Sequence, residues 1–223
     1  FGDNYELPNL TAYNETCAAI GNVYTNYRLF LLHGDAKYFD VLERTLYNGL
    51  ISGVSLDGDG FFYPNPLACD GKYRFNADHT ITRQPWFGCA CCPSNISRFI
   101  PSLPGYVYAV KDDKVYVNLF LSNRAKLKVN GKNVVLEQET SYPWNGDIRL
   151  TVAKGNQPFV MNVRIPGLGT RKCATGWLVF VCRRRGACLP RVCQRSGGEG
   201  STAEGLPQHR PPLEERRCSG NLF

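Results

Sequence analysis

With 223 residues, 43% of them hydrophobic and 12% aromatic, the chain is long enough to bury a substantial core as one domain or two small ones. No run approaches the roughly 18 apolar residues of a membrane span and no signal-peptide pattern opens the sequence, so no membrane partner is expected. The formal charge of +7 suggests nucleic acid only until it is divided: residues 1–167 hold 16 Lys/Arg against 15 Asp/Glu, residues 168–223 hold 10 against 4, and the nearly balanced body has no electrostatic reason to seek phosphates.

In chain order, "TAYNETCAAIGNVYTNYRLFLLHGD" carries Ile20, Val23, Tyr24, Tyr27, Phe30 and Leu31 at helical spacing, with Gly34 placed to stop the helix. "AKYFDVLERTLYNGLISGV" repeats the pattern through Tyr38, Val41, Leu42, Leu46 and Leu50, which predicts an antiparallel αα-hairpin. "SLDGDGFFYPNPL" reads as a β-hairpin or structured loop, and "PSNISRFIPSL" as a short helix limited by Pro101. From Gly105 to Pro166 the period becomes two. Six short alternating segments separated by turns such as "NGK" and "NGD" predict an antiparallel β-sandwich, or part of one.

Residues 168–223 follow neither period. They contain no Ile, Tyr or Asp, and Lys172 is their only lysine beside nine arginines, whereas the body has eight of each. Gly, Pro, Ser and Arg dominate beyond "WLVFV", a composition unable to bury much core, so this segment is expected to be unstructured. It resembles GC-rich DNA translated in the wrong frame. An arginine-rich nucleic-acid arm and a zinc module are the other readings, the second weakened by the lack of paired C-x-x-C spacing.

Two motifs carry chemistry. "WFGCACCPSN" puts Cys89, Cys91 and Cys92 into four positions ahead of Pro93. A disulfide cluster, a redox pair and thiolates on a metal all remain open, although a body this apolar does not need disulfide staples. Adjacent Cys91 and Cys92 would point to opposite sides of an extended chain and can share one ion only where the backbone turns. Pro93 is expected to be the first residue of the next helix, with Cys92 outside it and a helix N-terminus favouring thiolate. "AYNETCA" supplies Glu15 and Cys17, expected where the first helix begins. The plain alternative is a helix-start carboxylate beside an ordinary buried cysteine.

Taken together, "YELPN", "AYNETCAAIGN", "RLFLLHGDAKYFDVLERTLYNG", "SGVSLDGDGFFYPNPL", "WFGCACCPSN", "RFIPSLPGYVYA" and "YPWNGDI" resemble the bacterial non-reducing-end β-L-arabinofuranosidase family of glycoside hydrolases. The resemblance runs from Phe1 to about Gly167. It implies an (α/α)6 barrel followed by β-sandwich domains, and a Zn2+ ion held by Glu15, Cys17, Cys91 and Cys92. It makes Cys91 the nucleophile of a retaining reaction that releases L-arabinose, with Glu43 and Tyr63 as sugar contacts. An exposed helix charge and a packing aromatic are the plain alternatives for those two. A thiolate nucleophile departs from the usual carboxylate pair.

The family's acid/base glutamate would lie in an "EAFG"-like stretch just before "YELPN". With the start at Phe1 in place of Met, this gives the expectation of an inactive fragment. The sequence thus predicts a multidomain α and β protein: residues 1–104 as the C-terminal part of an (α/α)6 barrel, 105–167 as a partial antiparallel β-sandwich, and 168–223 as a tail. The expected partner is an arabinose-containing oligosaccharide or glycoconjugate. Nucleic acid is not expected, and the compartment is expected to be the cytoplasm, with periplasm or exterior as alternatives. A non-catalytic, zinc-stabilised structural or carbohydrate-binding protein is the rival reading.

Overall fold

The computed structural model of the chain describes residues 3–4, 6, 8–167, 176–184, 187–195 and 219–221, the stretches 183–184, 187–195 and 219–221 as backbone only. The chain divides into two compact units, Phe1–Gly34 with Tyr38–Leu103, and Asp35–Lys37 with Pro104–Phe223.

The first unit is helical at its ends and irregular between. Helix α1, Thr16–His33, buries Ile20, Val23 and Phe30, and ends at Gly34, whose left-handed φ of 71° lets its N–H cap Phe30 O at 2.7 Å. Helix α2, Lys37–Thr45, continues through a wider turn at Leu46–Leu50 and a tight one at Ile51–Gly53. The expected αα-hairpin forms: Phe39 of α2 meets Phe30 edge-on at 4.7 Å between centroids, and Asn22 Nδ2 donates to Thr45 Oγ1 at 3.0 Å.

Of the expected stripe, Leu42, Leu46 and Leu50 are buried and Tyr38 is half-buried, but Val41 is not part of the inner face. Phe39, Asp40, Leu42 and Glu43 point inward, whereas Val41 is exposed. The edge-to-face Phe30–Phe39 packing sets the rotation of this nine-residue helix.

Residues 54–90 form no long element. Val54 bridges Phe61 and Phe61 bridges Gln84, so "SLDGDGF" makes a minimal hairpin closed by Ser55 N–H to Gly60 O at 2.7 Å. Helix α3, Cys91–Phe99, follows, and Ile100–Ser102 tightens into a final turn at Pro101. The sequence placed Pro93 first in this helix. The structure instead begins it at Cys91, with Ala90 as the cap, so Pro93 is the third residue. A first-turn N–H has no intrahelical acceptor, and a proline there therefore loses no bond.

The second unit opens with a short helical turn, α4, at Pro104–Val107. Strands β1 (Tyr108–Lys111), β2 (Lys114–Val117), β3 (Asn123–Val129), β4 (Lys132–Thr140), β5 (Asp147–Lys154) and β6 (Phe159–Ile165) are the six alternating segments of the sequence. They join β7 (Gly176–Arg184), β8 (Ala187–Arg195) and β9 (Ser219–Asn221) in two sheets, ordered β1-β2-β6-β7-β8 and β3-β4-β5-β9. Val115, Val117, Phe159, Met161 and Val163 from the first sheet pack with Val129, Val134, Leu136, Ile148 and Val152 from the second. This is sandwich packing, each large side chain contributing on the order of 1.5–3 kcal/mol.

Two expectations are corrected. The sandwich is not purely antiparallel, because β2 and β6 pair in parallel, Val115 opposite Met161. Alternation fixes which residues face the core, not which strand lies alongside. Nor is the whole of 168–223 without structure. "WLVFV" lies in β7, which pairs along β6 from Phe159↔Cys182 to Ile165↔Gly176; this covers an edge that would otherwise leave a row of backbone groups unpaired. Trp177 packs edge-on against Tyr116 at 5.2 Å between centroids, and Cys182 is disulfide-bonded. For residues 168–175, 185–186, 196–218 and 222–223 the expectation lies outside the described residues. Among the described residues no helix is long and apolar enough to cross a membrane.

Candidate metal centre and active site

Three segments of the helical unit meet at one point: the start of α1, the loop 61–65 and the start of α3. The loop is stitched to α1 by Thr16, which is fully buried. Its N–H donates to Tyr63 O at 3.0 Å, and its hydroxyl donates to Phe62 O at 3.0 Å and Tyr63 O at 3.2 Å. Glu15 bridges Pro64, and Asn65 N–H donates to Asn14 O at 2.8 Å. Gly53 lies beside this junction, where a Cβ would stand in ordinary contact, 3.4 Å from Thr16 Oγ1 and 3.5 Å from Asn65 Nδ2. Tyr24 of α1 packs on Phe99 of α3, centroids 5.9 Å apart, which ties the two helices together.

This arrangement gathers Glu15, Cys17, Cys91 and Cys92, with one ligand atom from each within 4.8 Å of all the others. Cys17 Sγ lies 3.5 Å from Cys92 Sγ, and Cys91 Sγ lies 3.8 Å from it. Glu15 Oε1 is 3.7 Å from Cys91 Sγ and 3.9 Å from Cys92 Sγ. Three sulfurs and a carboxylate oxygen facing one another at these distances can hold a metal ion. Glu15 sits at the cap position of α1 in extended conformation and Cys17 in its first turn, so their side chains reach the same side. Adjacent Cys91 and Cys92 do so at the start of α3.

Cys92 is fully buried, and Glu15, Cys17 and Cys91 are half-buried. Burial pushes the Cys92 thiol far above the ordinary thiol range. Burial also raises Cys17, opposed by a hydrogen bond from the Asn95 side chain, one turn into α3. Cys91 has a phenol as its partner outside the cluster, its thiol donating to Tyr63 Oη at 2.8 Å. Were Cys91 a thiolate, the phenol would hold the only proton between them and would donate instead. The hydrogen bond to Cys91, with burial, drives the Tyr63 phenol far up, so it remains a proton donor at any physiological pH. Phe87 backs the Tyr63 ring edge-on, centroids 5.5 Å apart.

Glu43 is fully buried on α2 and is not part of the four-residue cluster. Cys69 and Cys89 are exposed and free. Tyr13, at the rim, feels partial burial first and then the charges of Glu15 and the three cysteines, all raising its phenol. An open cleft of about 410 Å³ starts at Glu15 and runs past Tyr13, Asn22, Arg44 and Asn48, but Cys91, Tyr63 and Glu43 do not line it.

The sequence matches the family description "Beta-L-arabinofuranosidase, GH127 catalytic domain" over residues 1–105, and "Beta-L-arabinofuranosidase, GH127 middle domain" over residues 114–178. The chain belongs to the GH127 β-L-arabinofuranosidase family. A non-reducing end β-L-arabinofuranosidase from Bifidobacterium longum is 38% identical over 176 residues, covering 75% of this chain and 26% of the relative. A solved GH127 β-arabinofuranosidase is 77% identical over 75% of this chain and 25% of its own, with a TM-score of 0.69. The GH127 β-L-arabinofuranosidase of Geobacillus stearothermophilus T6 is 38% identical with a TM-score of 0.73, covering 83% of this chain and 32% of its own. This GH127 chain therefore spans between a quarter and a third of the length of those relatives. The middle-domain match ends at residue 178, inside β7, so the family pattern passes the boundary that composition suggested at 167.

Sequence reasoning missed Thr16, Asn95 and Asn76. They are common polar residues in no recognisable spacing, and only contacts with distant backbone or with the cluster distinguish them.

Proposed function

We propose that this chain is part of a retaining glycoside hydrolase that releases L-arabinose from β-L-arabinofuranosides, with Cys91 as nucleophile and Zn2+ held by Glu15, Cys17, Cys91 and Cys92. In this reading residues 1–104 belong to an (α/α)6 barrel. The observation that carries it is the cluster itself: four ligand atoms within 4.8 Å of one another, one of them the sulfur that touches Tyr63 Oη. A tetrahedral ion with Zn–S of about 2.3 Å and Zn–O of about 2.0–2.2 Å separates two sulfurs by roughly 3.8 Å and a sulfur from an oxygen by roughly 3.5 Å. Four of the six separations, 3.5, 3.8, 3.7 and 3.9 Å, lie close to those values, and all six are within 4.8 Å, so small adjustments complete the tetrahedron. Soft thiolates with one carboxylate also suit zinc better than magnesium or calcium.

When bound, zinc keeps sulfurs deprotonated that burial alone would keep protonated. Cys91 is the sulfur suited to attack. It is half-buried like Cys17 but also touches Tyr63 Oη, the assigned sugar contact, whereas Cys92 is fully buried. Its sulfur attacks the anomeric carbon as the bond to the departing oxygen breaks, leaving the sugar on sulfur. Water then attacks the same carbon from the opposite face, restores the thiolate and frees arabinose with retained configuration. Tyr63, its phenol held in the protonated form, fixes the Cys91 sulfur by its hydrogen bond and leaves its oxygen to accept from a sugar hydroxyl. Glu43 is assigned a sugar hydroxyl as partner.

The departing oxygen needs a proton, worth about 10²–10⁴-fold when supplied by a positioned acid. In this reading none of Glu15, Glu43 and Tyr63 is assigned that proton, so the polypeptide taken alone is expected not to turn over natural arabinosides. The test is to incubate the purified chain with a nitrophenyl β-L-arabinofuranoside, whose leaving group needs little protonation, and to map adducts by peptide mass spectrometry. A pentosyl adduct on Cys91, absent from Cys91→Ser, is the expected result. An adduct elsewhere would remove Cys91 from the role. Hydrolysis of a β-L-arabinofuranosyl disaccharide would show that a residue within the chain serves as acid.

A further inference from the structure

We propose that Asn76 is the positioning residue that seats Tyr63 against Cys91; the proposal rests on the reading of Cys91 and Tyr63 given above. Asn76 is 3% exposed, yet its side-chain amide uses its full hydrogen-bonding capacity. Oδ1 accepts from Tyr63 N–H at 2.8 Å and from Ala77 N–H at 3.0 Å. Nδ2 donates to Thr82 O at 2.9 Å and more weakly to Phe61 O at 3.4 Å. With two N–H groups on one side and two carbonyls on the other, the amide cannot be turned over without facing donor to donor.

The bonds run in series towards the cluster. Asn76 fixes the amide of Tyr63. The carbonyl of Tyr63 takes the N–H and hydroxyl of Thr16, between Glu15 and Cys17, and the phenol of Tyr63 meets Cys91 Sγ at 2.8 Å. One buried amide thus sits behind the residue that contacts both halves of the cluster. The local backbone is shaped around it. Asp78 and His79 adopt left-handed φ of 61° and 54°, a conformation unusual for residues other than glycine, while Asn76 N–H returns to Thr80 O at 3.0 Å. Such a turn persists only where its surroundings over-determine it, and such turns cluster at functional sites. A side chain needed only to cap a surface turn would not have to reach Tyr63 and Thr82 at once.

The test loads the full 223-residue protein with cobalt(II) and reads the thiolate-to-cobalt charge-transfer band, which reports the hydrogen bonding of the ligating sulfurs. Tyr63→Phe removes the phenol donor to Cys91 and is expected to move the band. Asn76→Ala is expected to move it in the same direction by the same amount, and the double variant no further. Asn76→Asp keeps the acceptor for Tyr63 N–H but sets its second oxygen against Thr82 O and Phe61 O, so it is expected to bring the band only part of the way back to the wild type. A purely structural Asn76 would lower the melting temperature and leave the band in place, or add its shift to that of Tyr63→Phe; either result overturns the proposal. No cobalt uptake by the wild type, or an unmoved band in Tyr63→Phe, overturns the underlying reading together with it. If Asn76→Ala does not fold, hydrogen exchange in the wild type decides: a Tyr63 amide protected well beyond its loop neighbours supports the proposal, and one exchanging as fast as they do overturns it.

Discussion

The helical unit and the strand unit solve different problems with similar numbers of residues. In the strand unit, alternating Val, Leu, Ile, Phe and Met side chains from two sheets form one apolar core, and the polar groups buried with it, Asn118, Gln138, Asn162 and Arg164, are scattered and include no thiol or carboxylate. In the helical unit the buried set includes Thr16, Asn26, Asp40, Glu43 and Asn76, and its thiols gather at the starts of α1 and α3. The strand period buries Gln138, Asn162 and Arg164 along with its apolar side chains; the metal-ligand types instead converge where a helix begins. The Glu15, Cys17, Cys91 and Cys92 cluster lies at two helix starts, beside a loop that belongs to no long element.

The sharpest way to break this contrast is Cys92→Ser. The expected outcome is complete loss of bound metal by elemental analysis, because Cys92 is the fully buried member of the proposed ligand set. Cys69→Ser and Cys89→Ser, exposed thiols outside the cluster, are expected to leave metal content unchanged. Retention of metal by Cys92→Ser would mean that the four side chains are neighbours and not ligands.

A large effect of the opposite kind is expected in the strand unit. Leu136→Ala removes a fully buried side chain between the sheets and should cost about 2–5 kcal/mol in denaturant unfolding. Metal content should survive it, since none of the four ligand residues lies in that unit.

Alkaline pH probes both units at once through one tyrosine in each. Burial raises the phenols of Tyr27 and Tyr108 above the ordinary 10.0. A folded-state value above the unfolded one means that the contribution is fully present below about pH 10 and is lost as pH rises through the folded value. Stability should therefore fall from about pH 10 upward, and Tyr108→Phe should flatten the fall. A steeper fall in Tyr108→Phe would contradict the sign. The smallest effect belongs to the surface: Arg149 Nη1 and Glu139 Oε2 pair at 2.9 Å in the open, and Glu139→Gln should shift stability by at most about 1 kcal/mol.

The sequence carried the helical hairpin and the six alternating strands because each is a local pattern. The rotation of α2 was legible through Leu42, Leu46 and Leu50 but not at its start, since Tyr38, Phe39, Val41 and Leu42 are all apolar within five positions and contact of Phe39 with Phe30 and Tyr27 turns Val41 outward. The parallel β2–β6 pairing joins segments more than forty residues apart, which alternation does not encode. At the site, residue type betrayed Glu15 and the cysteines, and their meeting in space was foreshadowed only by the family resemblance. Asn76 could not be read at all. Its role depends on the backbone at Tyr63 and Thr82, and a single asparagine before "ADHT" looks like any turn residue.

The central claim is that these 223 residues hold zinc through three sulfurs and one oxygen. X-ray absorption at the zinc edge of the purified chain tests it most directly. The account predicts a four-coordinate first shell of three sulfurs at about 2.3 Å and one oxygen at about 2.0–2.2 Å, lost in Cys92→Ser. A shell of nitrogen and oxygen alone, or a protein that takes up no zinc, would contradict it.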